Sequence, residues 1–265
     1  MTPPLTIPLI ITSLAVSILL PVALFAYFRL THGLTIRTVA VGAIIWILFS
    51  QILEKLLHAV VLTHTGIMFS PVAFAVYGAI TAGVFEEVGR YIAFRFILPS
   101  RRSWKDAVGY GIGHGGIESI LLGLALNLQY LVFARMQNAG TLSSFHGIPQ
   151  SALATLQATL LGSPWVFLLG GIERICALAV QIALSILVLR AVADRRISYL
   201  VYAILLHAAV DFAPALFQIG AARLIEAEAM VAVAGIIAVA YIRKTGRKAA
   251  HSSRHAQRRH DKTGE

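Results

Sequence analysis

Long apolar stretches, separated by short polar loops, run through nearly the whole chain. A bilayer core about 30 Å thick needs roughly 20 apolar residues per helix. Seven stretches reach that length and are predicted to span a membrane: 5–28, 38–62, 71–98, 106–133, 165–190, 197–218 and 224–243. A further apolar piece, 150–162, is too short to span, and we expect it to lie at the interface or to re-enter. The pattern therefore predicts an all-α polytopic membrane protein, a bundle of about seven transmembrane helices over residues 1–243.

Composition excludes several classes of protein. Of the 265 residues, 58% are apolar and 13% are charged, whereas soluble domains have about 45–50% and about 25%. The mean hydropathy is +0.79. This composition excludes a soluble enzyme. A nucleic-acid-binding protein is also excluded, because much of the net charge of +10 comes from residues 243–265, with eight Lys or Arg against two acids. The single cysteine, Cys176, excludes an intrachain disulfide.

The positions of Lys and Arg predict the orientation in the cell membrane. Basic residues cluster after the first, third and fifth spans, and the loops between these contain at most one each. Because cytoplasmic loops carry the excess of Lys and Arg, we expect the N-terminus outside and the C-terminus in the cytoplasm. The first span lacks a basic segment before it, so it is not predicted to be a cleaved signal peptide. The basic tail, 244–265, is predicted to be disordered and to lie against anionic lipid.

Charged side chains interrupt several predicted spans, where each costs at least about 2.5–3.5 kcal/mol at the bilayer centre. They fall in the third, fourth, fifth and sixth spans: Glu86, Glu87 and Arg90; His114 and Glu118; Glu173 and Arg174; His207 and Asp211. Residues four apart share a helix face, which pairs Glu86 with Arg90. The same spacing pairs His114 with Glu118, and His207 with Asp211.

Three of these spans bring their polar groups to a common depth. A rise of about 1.5 Å per residue places Glu86, His114 and His207 at about 17, 12 and 15 Å from the cytoplasmic ends of their spans. We therefore expect them to converge in one polar cavity. Glu173 and Arg174 lie deeper, at about 25 Å, and a structural role is expected for them. A polar stripe in the second span, which includes Glu54 and His58, is expected to reach the outer interface.

Simpler interpretations remain for parts of this cluster. Arg90 could form a structural ion pair with Glu86, and Glu87 would then share a proton with its neighbour. The glycines around His114, between Gly109 and Gly116, either let helices pack closely or leave room beside the imidazole.

Four motifs resemble a known group of proteins. They are EEVGR at 86–90, GHGGIE at 113–118, GIER at 171–174 and HAAVD at 207–211. This combination resembles the CPBP/Abi and PrsW group of intramembrane proteases, which includes the CAAX-prenyl endopeptidases. It is most similar to the YhfC-type branch of membrane peptidases, and the resemblance extends over about residues 5–243.

The resemblance implies roles for the individual residues. Glu86 and Glu87, with His114, would activate a water molecule, and His207 would polarise the substrate carbonyl or stabilise the oxyanion. Asp211 stands where other branches often have Asn, so it would orient His207 or bind a metal. Arg90, Glu118, Glu173 and Arg174 would support this site.

Metal dependence stays open from the sequence. Proteins of this group are described as glutamic proteases or as metalloproteases, so the cofactor is either none or zinc. His114, His207 and Glu87 would be the ligands of a zinc ion with an open position. The absence of an HExxH motif excludes a zincin-type site. A metal-free base is slightly favoured, because adjacent carboxylates can share a proton without an ion.

The sequence thus favours an intramembrane peptidase that acts on a membrane protein or peptide. Two alternatives use the same buried groups. A proton- or ion-coupled transporter would use them as a relay, although no inverted repeat is visible. A catalytically silent scaffold would keep them for helix packing.

Overall fold

The computed structural model describes the backbone of residues 1–263 and the side chains of residues 1–251. Within that part of the chain the long elements are all helices. They are α1 (Thr6–His32), α2 (Ile36–Trp46), α3 (Lys55–His64), α4 (Pro71–Ile92), α5 (Trp104–Asn138), α6 (Gln150–Leu161), α7 (Trp165–Ala193), α8 (Ser198–Gln218) and α9 (Leu224–Thr263). A π-helical segment, Ile47–Glu54, joins α2 to α3 without a break, and a second, Ala93–Ile97, continues α4.

Seven helical stretches in the described part are long and apolar enough to cross a membrane. They are Thr6–His32, Ile36–His64, Pro71–Ile97, Trp104–Asn138, Trp165–Ala193, Ser198–Gln218 and Leu224–His251. The predicted all-α class and the seven spans are therefore confirmed. The short piece predicted at 150–162 forms α6, whose Leu153 and Leu160 are buried against Ile10 of α1 and Phe167 of α7.

Helix α7 is the centre of the bundle. It packs against α1, α4, α5, α8 and α9, and it is the most deeply buried of the seven spans. Its buried apolar residues, such as Leu178 and Ile182, form the main core together with Val108 and Ile112 of α5. Helix α4 packs most extensively against α8. The polar groups of α4, α5 and α8 are thus arranged around α7.

Glycines set the distance between α5 and its neighbours. A Cβ on Gly113 would lie 1.9 Å from the carbonyl oxygen of Val39 in α2, and one on Gly111 would lie 2.6 Å from the Cα of Ile182 in α7. Such distances are shorter than any van der Waals contact, so only glycine fits. Neighbouring helices fill the space beside Gly111 and Gly113. These glycines therefore serve close helix packing and do not leave room for a ligand.

The last helix extends into the basic segment 244–265, for which the sequence predicts disorder. Residues 244–263 continue α9 as a helix, since Ala, Lys and Arg are good helix formers. The Trp104 ring donates a hydrogen bond from Nε1 to Oγ1 of Thr245 at 3.1 Å, which fixes this extension to the start of α5. Gly264 and Glu265 lie outside the described residues.

Candidate active site

Four side chains converge from three helices at the centre of the bundle: Glu86 and Glu87 from α4, His114 from α5 and His207 from α8. We call them the Glu/His cluster. Each is at most 6% exposed. The burial of two carboxylates requires partners for their charge and hydrogen-bonding capacity, and each carboxylate finds an imidazole.

Glu86 forms the first carboxylate–imidazole pair with His114. Nε2 of His114 lies 2.8 Å from Oε2 of Glu86. Trp46, the last residue of α2, donates its Nε1–H to Oε1 of Glu86 at 3.1 Å, and Gln181 of α7 donates its amide to Oε2 at 3.1 Å. Nδ1 of His114 is buried without a partner among the described residues. This favours the tautomer in which Nε2 carries the proton and donates a hydrogen bond to Glu86.

Glu87 forms the second pair with His207. Nδ1 of His207 lies 2.7 Å from Oε1 of Glu87. The other ring nitrogen, Nε2, lies 3.3 Å from Oδ2 of Asp211 and 3.7 Å from Oε2 of Glu86. The contact expected between His207 and Asp211 from their spacing is therefore present. His207 connects the two carboxylates of α4 to the more exposed Asp211.

Arg90 pairs with Glu87 and not, as predicted from the four-residue spacing, with Glu86. Its Nη2 lies 3.4 Å from Oε1 of Glu87 and 3.1 Å from Nε2 of His114. Arg90 is fully buried, and it also donates hydrogen bonds to Gln181 and to Oγ of Ser185. The prediction failed because Gln181 and Ser185 of α7 supply acceptors that helix periodicity alone does not reveal, and these hold the guanidinium beside Glu87.

Gln181 links the cluster to a second group of charges. Its amide Nε2 donates to Oε2 of Glu118 at 2.7 Å as well as to Glu86. Glu118 lies 3.5 Å from Nη1 of Arg174, which also pairs with the adjacent Glu173. The sequence analysis assigned no role to Gln181 or Ser185, because their partners Glu86, Arg90 and Glu118 lie on other helices.

A cavity of about 50 Å³ lies beside the cluster. Its polar lining consists of Glu118, Glu173, Arg174, Gln181, His207 and Asp211. A single water requires about 10–15 Å³ on this measure, so the cavity has room for a few waters. Gln181 and His207, which both approach Oε2 of Glu86, form part of its wall. Water in the cavity can therefore contact His207, whose Nε2 lies 3.7 Å from Oε2 of Glu86.

Glu54 is a buried acid whose position the sequence analysis misjudged. It was expected to reach the outer interface, but it is 6% exposed and is close enough to Glu86 and His207 to interact electrostatically with both. Its Oε1 lies 3.2 Å from Nε2 of His58, whose Nδ1 lies 2.8 Å from the hydroxyl of Tyr77. Glu54 ends the π-helical segment, and such segments are frequent at functional sites.

Three of the described residues could hold a metal ion. One ligand atom each from Glu86, His114 and Glu118 lies within 4.8 Å of the others, and carboxylates with an imidazole fit the ligands that zinc prefers. The set differs from the expected His114, His207 and Glu87, because Glu87 is already engaged by His207 and Arg90. Any ion there would lie near the guanidinium of Arg90 and would displace the amide of Gln181 from between the two carboxylates.

Comparison with known proteins identifies the family. A family model described as YhfC intramembrane metalloprotease matches residues 16–237. A protein of Bacillus subtilis strain 168, named uncharacterized membrane protein YhfC, is 38% identical over 241 residues, which are 88% of this chain and 93% of that protein. No solved structure matches this chain. The resemblance carried by the four motifs is confirmed over a region that contains them all: the chain belongs to the YhfC intramembrane metalloprotease family.

Proposed function

We propose that this protein is an intramembrane peptidase in which Glu86, paired with His114, activates a water molecule. One observation carries the proposal: two carboxylate–imidazole pairs lie buried side by side, next to a cavity that has room for water. Peptide hydrolysis needs a base for the water and a donor for the oxyanion. The Glu/His cluster supplies both within one helix bundle.

Glu86 is the general base in this proposal. It removes a proton from water as the water oxygen attacks the substrate carbonyl carbon. It then returns that proton to the amine as the peptide C–N bond breaks. Trp46 and Gln181 hold its carboxylate in place through their hydrogen bonds. Because His114 is fully buried, it acts by orienting Glu86, as a supporting partner does in other hydrolytic sites.

His207 is the oxyanion donor. Nδ1 is engaged by Glu87, so Nε2 is the ring atom available on the cavity side, where Asp211 also lies. With carboxylates on both sides, an imidazolium here has its charge balanced when it donates to the developing oxyanion. Glu87 is fully buried and held by Arg90. We therefore assign Glu87 to positioning His207 and not to the direct activation of water expected from the sequence.

A zinc ion, when bound, would be held by Glu86, His114 and Glu118 and would supply Lewis-acid polarisation of the scissile carbonyl. Glu86 and His114 would then act as ligands, whereas the roles of His207 and Glu87 would be unchanged. His207 stays beside the cavity and Glu87 stays behind it.

The test separates cleavage from transport in the same preparation. Purified protein in proteoliposomes is incubated with a pool of peptides derived from membrane proteins, and new termini are identified by mass spectrometry. A matched sample is assayed for pH-driven solute uptake. We expect cleavage that is lost in Glu86→Gln and kept in Gln51→Ala, a substitution of the second span outside the cluster. Uptake without cleavage would refute the peptidase and favour a transporter.

A further inference from the structure

A second and much larger cavity lies between the helices that flank the site. It has a volume of about 1000 Å³, is partly open to the surroundings and is lined by residues of α1, α5, α6, α7, α8 and α9. Cavities of this size lie at the upper end of the range that buries whole organic ligands. Its walls are mainly apolar, with side chains such as Leu126, Tyr130, Phe167 and Phe217.

The large cavity adjoins the small one beside the Glu/His cluster. Four residues line both of them: Glu173, Arg174, Pro214 and Val231. Arg174 stands at this junction and contacts Glu118 on the catalytic side. A ligand in the large cavity therefore reaches the catalytic groups by passing Arg174.

The walls also offer polar groups at intervals, which distinguishes a peptide from a lipid as the occupant. The side chains of Asn127, Thr159, Ser163 and Glu228 line the cavity. Asn127 and Thr159 donate to backbone carbonyls of their own helices and keep their side-chain oxygens as acceptors. An acyl chain has no use for such groups, whereas a peptide backbone inside a membrane needs partners for its N–H and C=O groups.

Pro214 adds a backbone acceptor at the junction. Proline has no N–H, so the carbonyl of Val210 lacks its usual α-helical donor. Val210 and Pro214 both line the small cavity, and Val210 is about one turn from His207 on the same helix. A substrate N–H at this position would find an acceptor next to the oxyanion donor.

We propose that the 1000 Å³ cavity is the substrate-binding chamber and that it holds an apolar peptide segment, with the scissile bond delivered past Arg174. This assignment rests on the proposed peptidase function. It names the substrate class, an unfolded apolar segment of a membrane protein or peptide, and the helices between which it binds.

The experiment measures binding without hydrolysis. In the Glu86→Gln background, the probe is a 12-residue peptide of Ala, Leu and Ser with a dansyl group, and its affinity is read by fluorescence. Ala158→Trp on α6 and Ala125→Trp on α5 fill the chamber from two walls. Ala152→Trp and Leu128→Trp on the same helices are the matched controls, because these exposed residues do not line the chamber. Size-exclusion profiles and thermal midpoints show whether each variant folds. If one chamber variant misfolds, the variant on the other helix still tests the proposal.

We expect both chamber variants to weaken peptide binding by at least about tenfold, and the controls to stay within about twofold. Cleavage in the Glu86-containing protein should fall in parallel. Equal binding by chamber and control variants would overturn the proposal. The proposal would also be overturned if the chamber variants lost binding of a dansyl-labelled phospholipid but bound the peptide as before. That result would make the cavity a lipid site. If peptide binding follows the expected pattern but Glu86-containing protein cleaves nothing, the chamber stands and the peptidase function fails.

Discussion

Nδ1 of His207 lies 2.7 Å from Oε1 of Glu87, although the two residues are 120 positions apart in the chain. The same oxygen lies 3.4 Å from Nη2 of Arg90. Glu87 thus joins a cation on its own helix to an imidazole on α8. The neighbouring Glu86 faces His114 and has no arginine within ion-pair distance among the side chains of residues 1–251. Two adjacent carboxylates of one helix therefore have different partners.

Glu87→Gln should destabilise the protein, whereas Glu86→Gln should mainly remove activity. Breaking a buried ion pair by removing one partner costs about 3–5 kcal/mol, and Arg90 is fully buried. Loss of a general base lowers the rate by about 10²–10⁴-fold. Thermal unfolding in detergent and peptide cleavage, measured on both variants, distinguish these effects. An equal loss of thermal stability in the two variants would contradict the division of roles.

Gly113→Ala should separate α2 from α5 and lower the free energy of unfolding by about 1–3 kcal/mol. The added methyl would lie 1.9 Å from the backbone oxygen of Val39, which cannot move without shifting α2. Gly78→Ala is the control, because no atom lies within 4 Å of its added methyl. That change should leave stability equal or raise it by up to about 1 kcal/mol. Yield and thermal midpoint are the measurements, and equal behaviour of the two variants would refute the packing role.

Exhaustive chelation should leave the cleavage rate unchanged. Glu86 can act as a base without an ion, and Arg90 lies 3.1 Å from Nε2 of His114, which disfavours a second cation there. Excess zinc should inhibit, because Glu86 and His114 would then bind it. Elemental analysis of the purified protein accompanies the assay. Stoichiometric zinc, with activity lost on chelation and restored by zinc, would overturn the metal-free base and make Glu86, His114 and Glu118 ligands.

The orientation predicted from the basic loops can be tested with fusions. Alkaline phosphatase should be active when inserted after Gly147, in the loop between α5 and α6, and inactive when fused after residue 265. Green fluorescent protein at the C-terminus should be fluorescent. The start of α5 and the extension of α9 carry basic residues and lie together through Trp104 and Thr245, so one side of the membrane should hold both. The reverse pattern of the two reporters would place the N-terminus in the cytoplasm.

The helices themselves were predictable because the bilayer imposes their length and apolar character. The seven spans follow from hydropathy alone, and the ends of the third span, predicted at 71–98 and observed at Pro71–Ile97, agree within one residue. Gly111 and Gly113 were also visible as candidates for close packing. The last helix was predicted too short, because its Lys- and Arg-rich continuation has the composition of a polar tail and still favours a helix.

The sequence by itself also determined which groups must be at the centre, since charged residues in apolar spans are too costly to be there without partners. Spacing within one helix found the contact between His207 and Asp211. It could not decide between Glu86 and Glu87 as the partner of Arg90, nor place Glu54 beside the cluster. Only the tertiary structure decided the partner of Arg90 and the position of Glu54. It alone also revealed the hydrogen bonds that Trp46 and Gln181 donate to Glu86. The physical reason is that helix periodicity places a side chain on a face, but the rotation and approach of neighbouring helices decide which atoms meet there.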